Sequence, residues 1–256
     1  MMILIAESKT MEKREAEIRP ECYEANKPAG EEEAGEIMER IKGMAISDIS
    51  AALKISNNLA VNLRQMAYEF PNKGMGLRVI EAFTGVVFRK LDYRSLSEAD
   101  KEWAASNVRI ISSLYGWLKP KDVVKSYRME YNASISPNDT SLFTYWREKV
   151  TIQLIQDLQA SGETQILNLL PADAAKCVDW KMVNQFAKVW KVDFKEQNGE
   201  STRSPYTEKL KALRGELLRN IILNRIANPQ QIYSIENDNM LPIYDYEYQD
   251  RLAFYV

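Results

Sequence analysis

The first residues whose chemistry stands out follow a short apolar run at positions 1–6. Lys9 lies there between two hydroxyl side chains, those of Ser8 and Thr10. The apolar run predicts a buried strand, and the loops that follow strand ends are where α/β sheets present ligand-binding groups. One ammonium group beside two hydroxyl donors suits an anion, although the glycines of a phosphate-binding P-loop are missing. Lys9 could instead act as a base or Schiff-base nucleophile if desolvation lowered its pKa.

A second candidate is the segment 127–130, Tyr-Arg-Met-Glu, which is predicted to be an extended arm. Alternation along an extended chain places Arg128 and Glu130 on one face, and Tyr127 and Met129 on the other. A guanidinium group beside a carboxylate suits an anion that also carries a hydrogen-bond donor. A surface ion pair on an edge strand is the alternative interpretation.

Two further basic residues, Lys211 and Arg214, lie three positions apart on a predicted helix. Residues at this spacing share a helix face, so the two side chains could contact one phosphate together. A solvated helix face explains the same spacing equally well.

Lys73, Gly74 and Gly76 lie between two predicted helical stretches. Gly-apolar-Gly between helices is typical of helix-hairpin-helix DNA-binding proteins, in which backbone amides at a helix start bind a phosphate. A plain turn that links two helices is the alternative.

The chain has no histidine among its 256 residues. This excludes Ser-His-Asp and Cys-His pairs, imidazole acid–base chemistry and every metal site that contains histidine. Cys22 and Cys177 are too far apart in sequence to suggest a disulfide framework or a zinc knuckle. We therefore predict no metal site and no cofactor. Because no apolar run approaches the roughly 20 residues of a membrane helix, we expect a cytoplasmic protein without membrane partners.

The charge is balanced overall but unevenly distributed. The net charge is −2 and the isoelectric point is about 5.6. Residues 107–129 nevertheless contain five bases and one acid, and residues 203–225 contain six bases and two acids. Two basic segments on a mildly acidic protein indicate a local anion site, or else solvated faces that balance acids elsewhere.

Hydrophobic periodicity predicts one mixed α/β domain over residues 1–256. Helices are expected at 31–42, 47–53, 56–70, 142–160 and 205–226, and buried strands at 3–5, 165–170 and 186–194. A helix capped by Ser97 is expected to carry Ile110 and Ile111 on its apolar face, with helical structure ending at Gly116. Three short strands are expected in the tail, around Ile232, Tyr244 and Phe254.

Taken together, these segments resemble the YaaA family of bacterial peroxide-stress proteins. The opening AESKT is similar to the family's Ser-Pro-(Ala/Ser)-Lys-Thr, and residues 109–131, RIISSLYGWLKPKDVVKSYRMEY, resemble its central signature. AFTGVVF, LFTYW and KALRG resemble three further motifs in the same order, so the resemblance spans nearly the whole chain. The sequence departs from the family pattern at four positions, where Glu7 replaces a proline, Ser113 a glycine, Pro171 a serine and Ala174 a tyrosine.

The resemblance implies an α/β fold of unusual topology, with a mixed central sheet surrounded by helices and a positively charged cleft. It also implies a role in limiting peroxide damage by lowering free intracellular iron, with binding of double-stranded DNA. The rival hypothesis is an enzyme that acts on a phosphorylated or nucleotide-like small molecule, with Tyr115, Glu130 or Lys9 as the reactive group. The predicted anion or DNA site comprises Ser8, Lys9, Thr10, Arg109, Tyr115, Arg128, Lys211 and Arg214.

Overall fold

A computed structural model describes residues 1–12, 16–71, 75–199, 201–237, 239–246 and 248–256. The strands are β1 (Met2–Ala6), β2 (Ala16–Glu17), β3 (Met75–Arg78), β4 (Val108–Ser112), β5 (Gly116–Leu118), β6 (Val123–Val124), β7 (Gln165–Asn168), β8 (Lys188–Asn198), β9 (Ser201–Arg203), β10 (Leu241–Pro242) and β11 (Arg251–Tyr255). The α-helices are α1 (Pro20–Ala25), α2 (Glu31–Gly43), α3 (Ile46–Leu53), α4 (Asn57–Glu69), α5 (Val79–Ala82), α6 (Val86–Leu91), α7 (Glu98–Asn107), α8 (Leu142–Ser161), α9 (Trp180–Val183) and α10 (Thr207–Leu223). Short 3-10 helices cover Tyr93–Ser95, Ala174–Cys177 and Pro229–Ser234.

The main sheet has the strand order β10-β11-β8-β7-β1-β4-β5, with β9 paired to β8. Five neighbouring strands, from β11 to β4, run parallel, while β5, β9 and β10 pair antiparallel. The apolar run in β1 explains its central place, because a strand covered on both faces needs no alternation of polar residues. The predicted α/β class with a mixed central sheet flanked by helices is confirmed.

The strand order reverses beside β1. The chain passes from β1 to β4 on one side, and then crosses to β7 on the other side before continuing through β8 to β11. Such a reversal opens a crevice at the carboxyl ends of the strands, and open α/β sheets bind their ligands there. The residues that follow β1, β4 and β7 are therefore the ones that the fold brings together.

Local sequence signals set some of the helix boundaries. The Ser56 and Ser97 hydroxyls accept hydrogen bonds from the backbone amides of Leu59 and Asp100, and so cap α4 and α7. The cap at Ser97 is as predicted. Gly162 ends α8 in the left-handed conformation, with φ of +70°.

Several sequence predictions about secondary structure are wrong. Ile110 and Ile111 do not extend the helix behind Ser97, because α7 ends at Asn107 and both residues lie in the fully buried β4. Gly116 does not end a helix but begins β5, at φ of +68°. The region around Ile232 is also a 3-10 helix instead of a strand.

A small antiparallel sheet, β2-β3-β6, lies apart from the main sheet. Gly76 belongs to its middle strand, β3, so this part of the expected helical hairpin is a strand. A Cβ atom at Gly76 would lie 2.7 Å from the Val123 side chain, which explains the need for glycine by close packing. Lys73 and Gly74 lie outside the described residues.

Candidate anion-binding site

The loop after β1 is seated on the segment that begins α6. The Ser8 hydroxyl accepts a hydrogen bond from the Thr10 amide and lies 3.1 Å from the Thr10 hydroxyl oxygen. The Thr84 amide donates to the Thr10 carbonyl at 3.0 Å. Gly85 leaves the space that the Ser8 hydroxyl occupies, since a Cβ atom there would clash with it. The two predicted hydroxyls are therefore adjacent and fixed.

The arm 127–130 crosses this loop, and its alternation is as predicted. Tyr127 and Met129 are buried, whereas Arg128 and Glu130 are partly exposed. Lys9 forms an ion pair with Glu130 at 2.5 Å, and Arg128 donates through Nη1 to the Lys9 carbonyl at 3.4 Å. The Nε atom of Arg128 is buried without a hydrogen-bond partner among the described residues.

Arg214 presents a second guanidinium group, and it has no hydrogen-bond partner among the described residues. It lies on α10 beside Gly215, at which a Cβ atom would clash with the Val87 carbonyl of α6. Helix α10 therefore approaches α6 closely and holds Arg214 in a partly buried position. Burial lowers the pKa of Arg214, and the nearby Asp173 carboxylate opposes this effect. Within the described part of the chain, Arg214 has neither an ion pair nor a hydrogen bond.

Glu7 lies beneath the loop, at the carboxyl end of β1. Its Oε2 atom accepts hydrogen bonds from the Ser113 amide at 3.0 Å and from the Tyr127 hydroxyl at 2.5 Å. The Ser113 hydroxyl lies 2.5 Å from Oε1. Burial raises the pKa of Glu7 to about 7, and the hydrogen bonds from Ser113 and Tyr127 act against that rise.

Glu7 and Arg214 are linked through residues that both Glu7 and Asp173 affect electrostatically. Burial, together with the charges of Glu7 and Asp173, raises the pKa of the Cys177 thiol. The same two carboxyl groups act on Tyr131, whose pKa is raised first by burial. Asp173 thus lies between the Glu7 environment and Arg214. These contacts and charges link Glu7, Ser8, Lys9, Thr10, Arg128, Glu130, Asp173, Cys177 and Arg214 into one neighbourhood, which we call the cleft.

Two predicted site residues, Arg109 and Tyr115, make contacts within the protein framework. Arg109 is near the amino end of β4, three residues and roughly 10 Å before Ser112. Its Nε atom pairs with Asp157 at 2.6 Å, and Nη1 donates to three backbone carbonyls. Tyr115 is buried, and its hydroxyl accepts a hydrogen bond from the Lys125 amide at 3.1 Å. Arg109 therefore has its contacts away from the cleft. Tyr115 lies next to the cleft, since its ring packs against that of Tyr127 with the ring centroids 5.7 Å apart, but its hydroxyl is bonded to the Lys125 amide.

Comparison with known proteins identifies the family of this chain. A family model described as "Peroxide stress protein YaaA" matches residues 1–248. The chain belongs to the YaaA family of peroxide stress proteins. A UPF0246 protein of Parabacteroides distasonis is 30% identical over 235 residues, which cover 91% of this chain and 90% of the relative. A UPF0246 protein of Clostridium perfringens SM101 is 29% identical over 256 residues, which cover 99% of this chain and 96% of the relative. A UPF0246 protein of Aliivibrio fischeri MJ11 is 29% identical over 245 residues, which cover 93% of this chain and 91% of the relative.

Two departures from the YaaA motifs contact each other. Glu7 stands where the motif has proline, and Ser113 where it has glycine. The hydroxyl and the amide of Ser113 both lie against the Glu7 carboxylate. The two residues therefore form one hydrogen-bonded unit in this YaaA-family chain, and sequence reasoning missed that unit because it treated the two positions separately.

The two basic segments of this YaaA-family chain are largely neutralised. Seven of their eleven bases form ion pairs, while Arg128, Lys211 and Arg214 have none among the residues that the structure describes. Lys211 is exposed on α10. The seven pairs are Arg109 and Lys119 with Asp157, Lys121 with Glu102, Arg203 and Lys209 with Glu196, Arg219 with Asp92, and Arg225 with Asp100.

The described residues contain no group of three or more Cys, Asp and Glu side chains that could hold a metal ion. None of the helices in the described ranges is long and apolar enough to cross a membrane. Sequence reasoning also missed Asp173 and Cys177 as cleft residues. Their only signal was that they follow β7, whose carboxyl end adjoins that of β1.

Proposed function

We propose that this YaaA-family protein acts in the peroxide stress response through a cleft that binds a compact anionic group, such as the phosphate of a small molecule. The observation that carries the proposal concerns two arginines. Among the residues that the structure describes, Arg128 has a buried Nε atom without a hydrogen-bond partner, and Arg214 has neither an ion pair nor a hydrogen bond. An unpaired, partly buried cation is costly, and an oxyanion of the ligand would satisfy it. Lys9, Ser8 and Thr10 would complete the site.

A compact ligand agrees better with the charge distribution than a DNA duplex does. Duplex binding depends on many lysine and arginine contacts with successive phosphates. Most of the bases in the two basic segments are already paired with carboxylates, and the isoelectric point is about 5.6. The features that support DNA binding are the exposed Lys211 and its position on the same helix as Arg214.

Under this proposal, the protein lowers free iron through the anionic ligand that it binds. Chelation by a cluster of protein side chains has no support, since no suitable cluster occurs in the described ranges. The ligand could carry the iron, or binding of the ligand could control another activity of the protein. The same cleft would serve an enzyme, and Glu7 would then be its acid–base group.

The test compares ligands and variants by calorimetry. Inorganic phosphate, a mononucleotide and sugar phosphates are titrated into the wild type, Arg214→Gln and Arg64→Gln. Arg64 is a matched control, because it lies on α4 and also has no ion pair within the part of the chain that the structure describes. We expect Arg214→Gln to weaken binding roughly 10- to 100-fold, as for a lost charged hydrogen bond, and Arg64→Gln to bind like the wild type.

Fluorescence anisotropy with a labelled duplex at two salt concentrations tests the DNA alternative. Salt-sensitive duplex binding that phosphate does not displace, and that Arg214→Gln leaves intact, would contradict the compact-ligand proposal. Absence of binding by every small anion would contradict it as well.

A further inference from the structure

We propose that Glu7 takes up a proton when the cleft binds an anion, so that anion affinity is linked to pH. This inference rests on the proposed anion site and deepens it. It gives Glu7 the role of a proton-exchanging group beneath the bound ligand, a role that none of the YaaA motifs contains, since their residue at this position is proline.

The contacts of Glu7 connect it to both halves of the anion site. Along the chain it precedes Ser8 and Lys9, and its Oε2 atom accepts from the hydroxyl of Tyr127, the neighbour of Arg128. A change in the charge of Glu7 therefore acts on the loop after β1 and on the arm at once. The Glu7 residue as a whole is partly exposed, while its carboxyl group is enclosed by Ser113 and Tyr127.

The hydrogen-bond network accommodates both forms of the carboxyl group. In the ionised form, Oε2 accepts from the Ser113 amide and from Tyr127, and Oε1 accepts from the Ser113 hydroxyl. In the protonated form, the proton sits on Oε1 and the Ser113 hydroxyl accepts it, because a hydroxyl can reverse its direction. Oε2 keeps both of its donors. The contact between Glu7 and the Ser113 hydroxyl is therefore kept, with its direction reversed.

Glu7 is the group near the anion site that is suited to change charge at neutral pH. Its pKa is about 7, raised by burial. Burial also raises the pKa values of Tyr127, Tyr131 and Cys177, which therefore stay neutral in this range. The other charged groups of the cleft are Asp173, which acts on Cys177 and Tyr131 together with Glu7, and Lys9, Glu130, Arg128 and Arg214.

The sign of the effect follows from charge repulsion. A bound anion disfavours the negative form of Glu7 and raises its pKa, so a proton enters as the anion binds. Above pH 7, where free Glu7 is ionised, binding must therefore draw a proton from the solvent. Affinity for an anion of constant charge falls as the pH rises. A rise of about one in the pKa of Glu7 on binding gives about a tenfold loss of affinity.

Sulfate is the suitable probe, because it is a dianion that does not itself titrate near neutral pH. Sulfate is titrated calorimetrically into the full chain between pH 6 and pH 8.5, in two buffers with different ionisation enthalpies. The buffer dependence of the heat gives the number of protons taken up. We expect the wild type to take up a fraction of a proton at pH 8, and its affinity to fall about tenfold over this range.

Glu7→Gln mimics the protonated carboxyl group, since its amide can donate to Ser113 and its oxygen can accept from Tyr127. We expect this variant to lose the proton uptake and to bind sulfate more tightly than the wild type at pH 8. Asp122→Asn is the matched control. Burial raises the pKa of Asp122 to about 7 as well, but its neighbours are Lys119, Arg109 and Asp157, outside the cleft. Asp122→Asn should take up protons on sulfate binding as the wild type does.

The outcomes separate the two proposals. Sulfate binding without proton uptake in the wild type, or equal uptake in Glu7→Gln, would overturn the role of Glu7 and leave the anion site standing. Absence of sulfate binding would overturn both. NMR of protein labelled at the glutamate side-chain carboxyl groups, with and without sulfate, provides a direct check. The resonance missing from Glu7→Gln should titrate near pH 7 in the free protein and at higher pH with sulfate.

Discussion

Replacement of Glu7 by glutamine should stabilise the protein at alkaline pH and have little effect at acid pH. The pKa of Glu7 rises from an ordinary value of 4.5 to about 7 on folding. Between these two values the folded chain holds a proton that the unfolded chain has lost, so the free energy of unfolding falls as the pH rises. Above pH 7 the carboxylate is ionised in both states, and the full penalty for its burial is present.

The magnitude follows from the size of that shift. One pKa unit corresponds to about 1.4 kcal/mol, which gives an upper value of about 3 kcal/mol for Glu7. Solvent access through the cleft screens part of this effect, so we expect about 1–3 kcal/mol. Glutamine is uncharged at every pH and can keep the contacts with Ser113 and Tyr127, and so it removes the penalty.

The assay is urea unfolding of the wild type and Glu7→Gln at pH 5 and pH 8. The difference in unfolding free energy between the two proteins should increase by about 1–3 kcal/mol in favour of the variant. The contribution of Asp122 cancels because both proteins contain it. Glu148→Gln, at an exposed position on α8, makes the same change in net charge and should show no such increase. A difference that is equal at the two pH values would refute the reasoning.

Two further predictions concern the framework of the cleft. Asp157→Asn should lower the free energy of unfolding by roughly 2–4 kcal/mol, because it leaves the buried Arg109 guanidinium without its counterion. Urea unfolding measures this loss, and unchanged sulfate affinity would confirm that Arg109 lies outside the site. Gly215→Ala should destabilise the protein by about 1–3 kcal/mol, since the new methyl group meets a carbonyl of α6 and overpacks that contact. A variant as stable as the wild type would show that α10 can move away from α6.

The helices could largely be predicted from the sequence because their signals are local. Serine caps before α4 and α7 and the left-handed Gly162 after α8 mark boundaries without reference to the rest of the chain. Strand β4 could not be predicted in this way, because a short apolar run such as Val108–Ser112 fits a buried helix turn as well as a buried strand. Only its pairing with β1, which depends on residues a hundred positions away, decides between them.

Part of the candidate site could be proposed from the sequence for the same reason. Ser8, Lys9, Thr10 and Arg128 stand beside recognisable local patterns, and the alternation of the arm places Arg128 correctly. Whether a cation is free or paired depends on carboxylates from distant segments. Arg109 meets Asp157, 48 residues further along the chain. The contact between Glu7 and Ser113, 106 residues apart, is likewise invisible in any local pattern.

The central claim is that one anion binds to the guanidinium groups of Arg128 and Arg214 at the carboxyl end of β1. Crystals of the wild type soaked in selenate test it most directly, because the anomalous signal of selenium locates the ion. The account predicts a peak within hydrogen-bond distance of both guanidinium groups, and its loss in crystals of Arg214→Gln. Selenate bound only elsewhere on the surface, with both guanidinium groups unoccupied, would contradict the account.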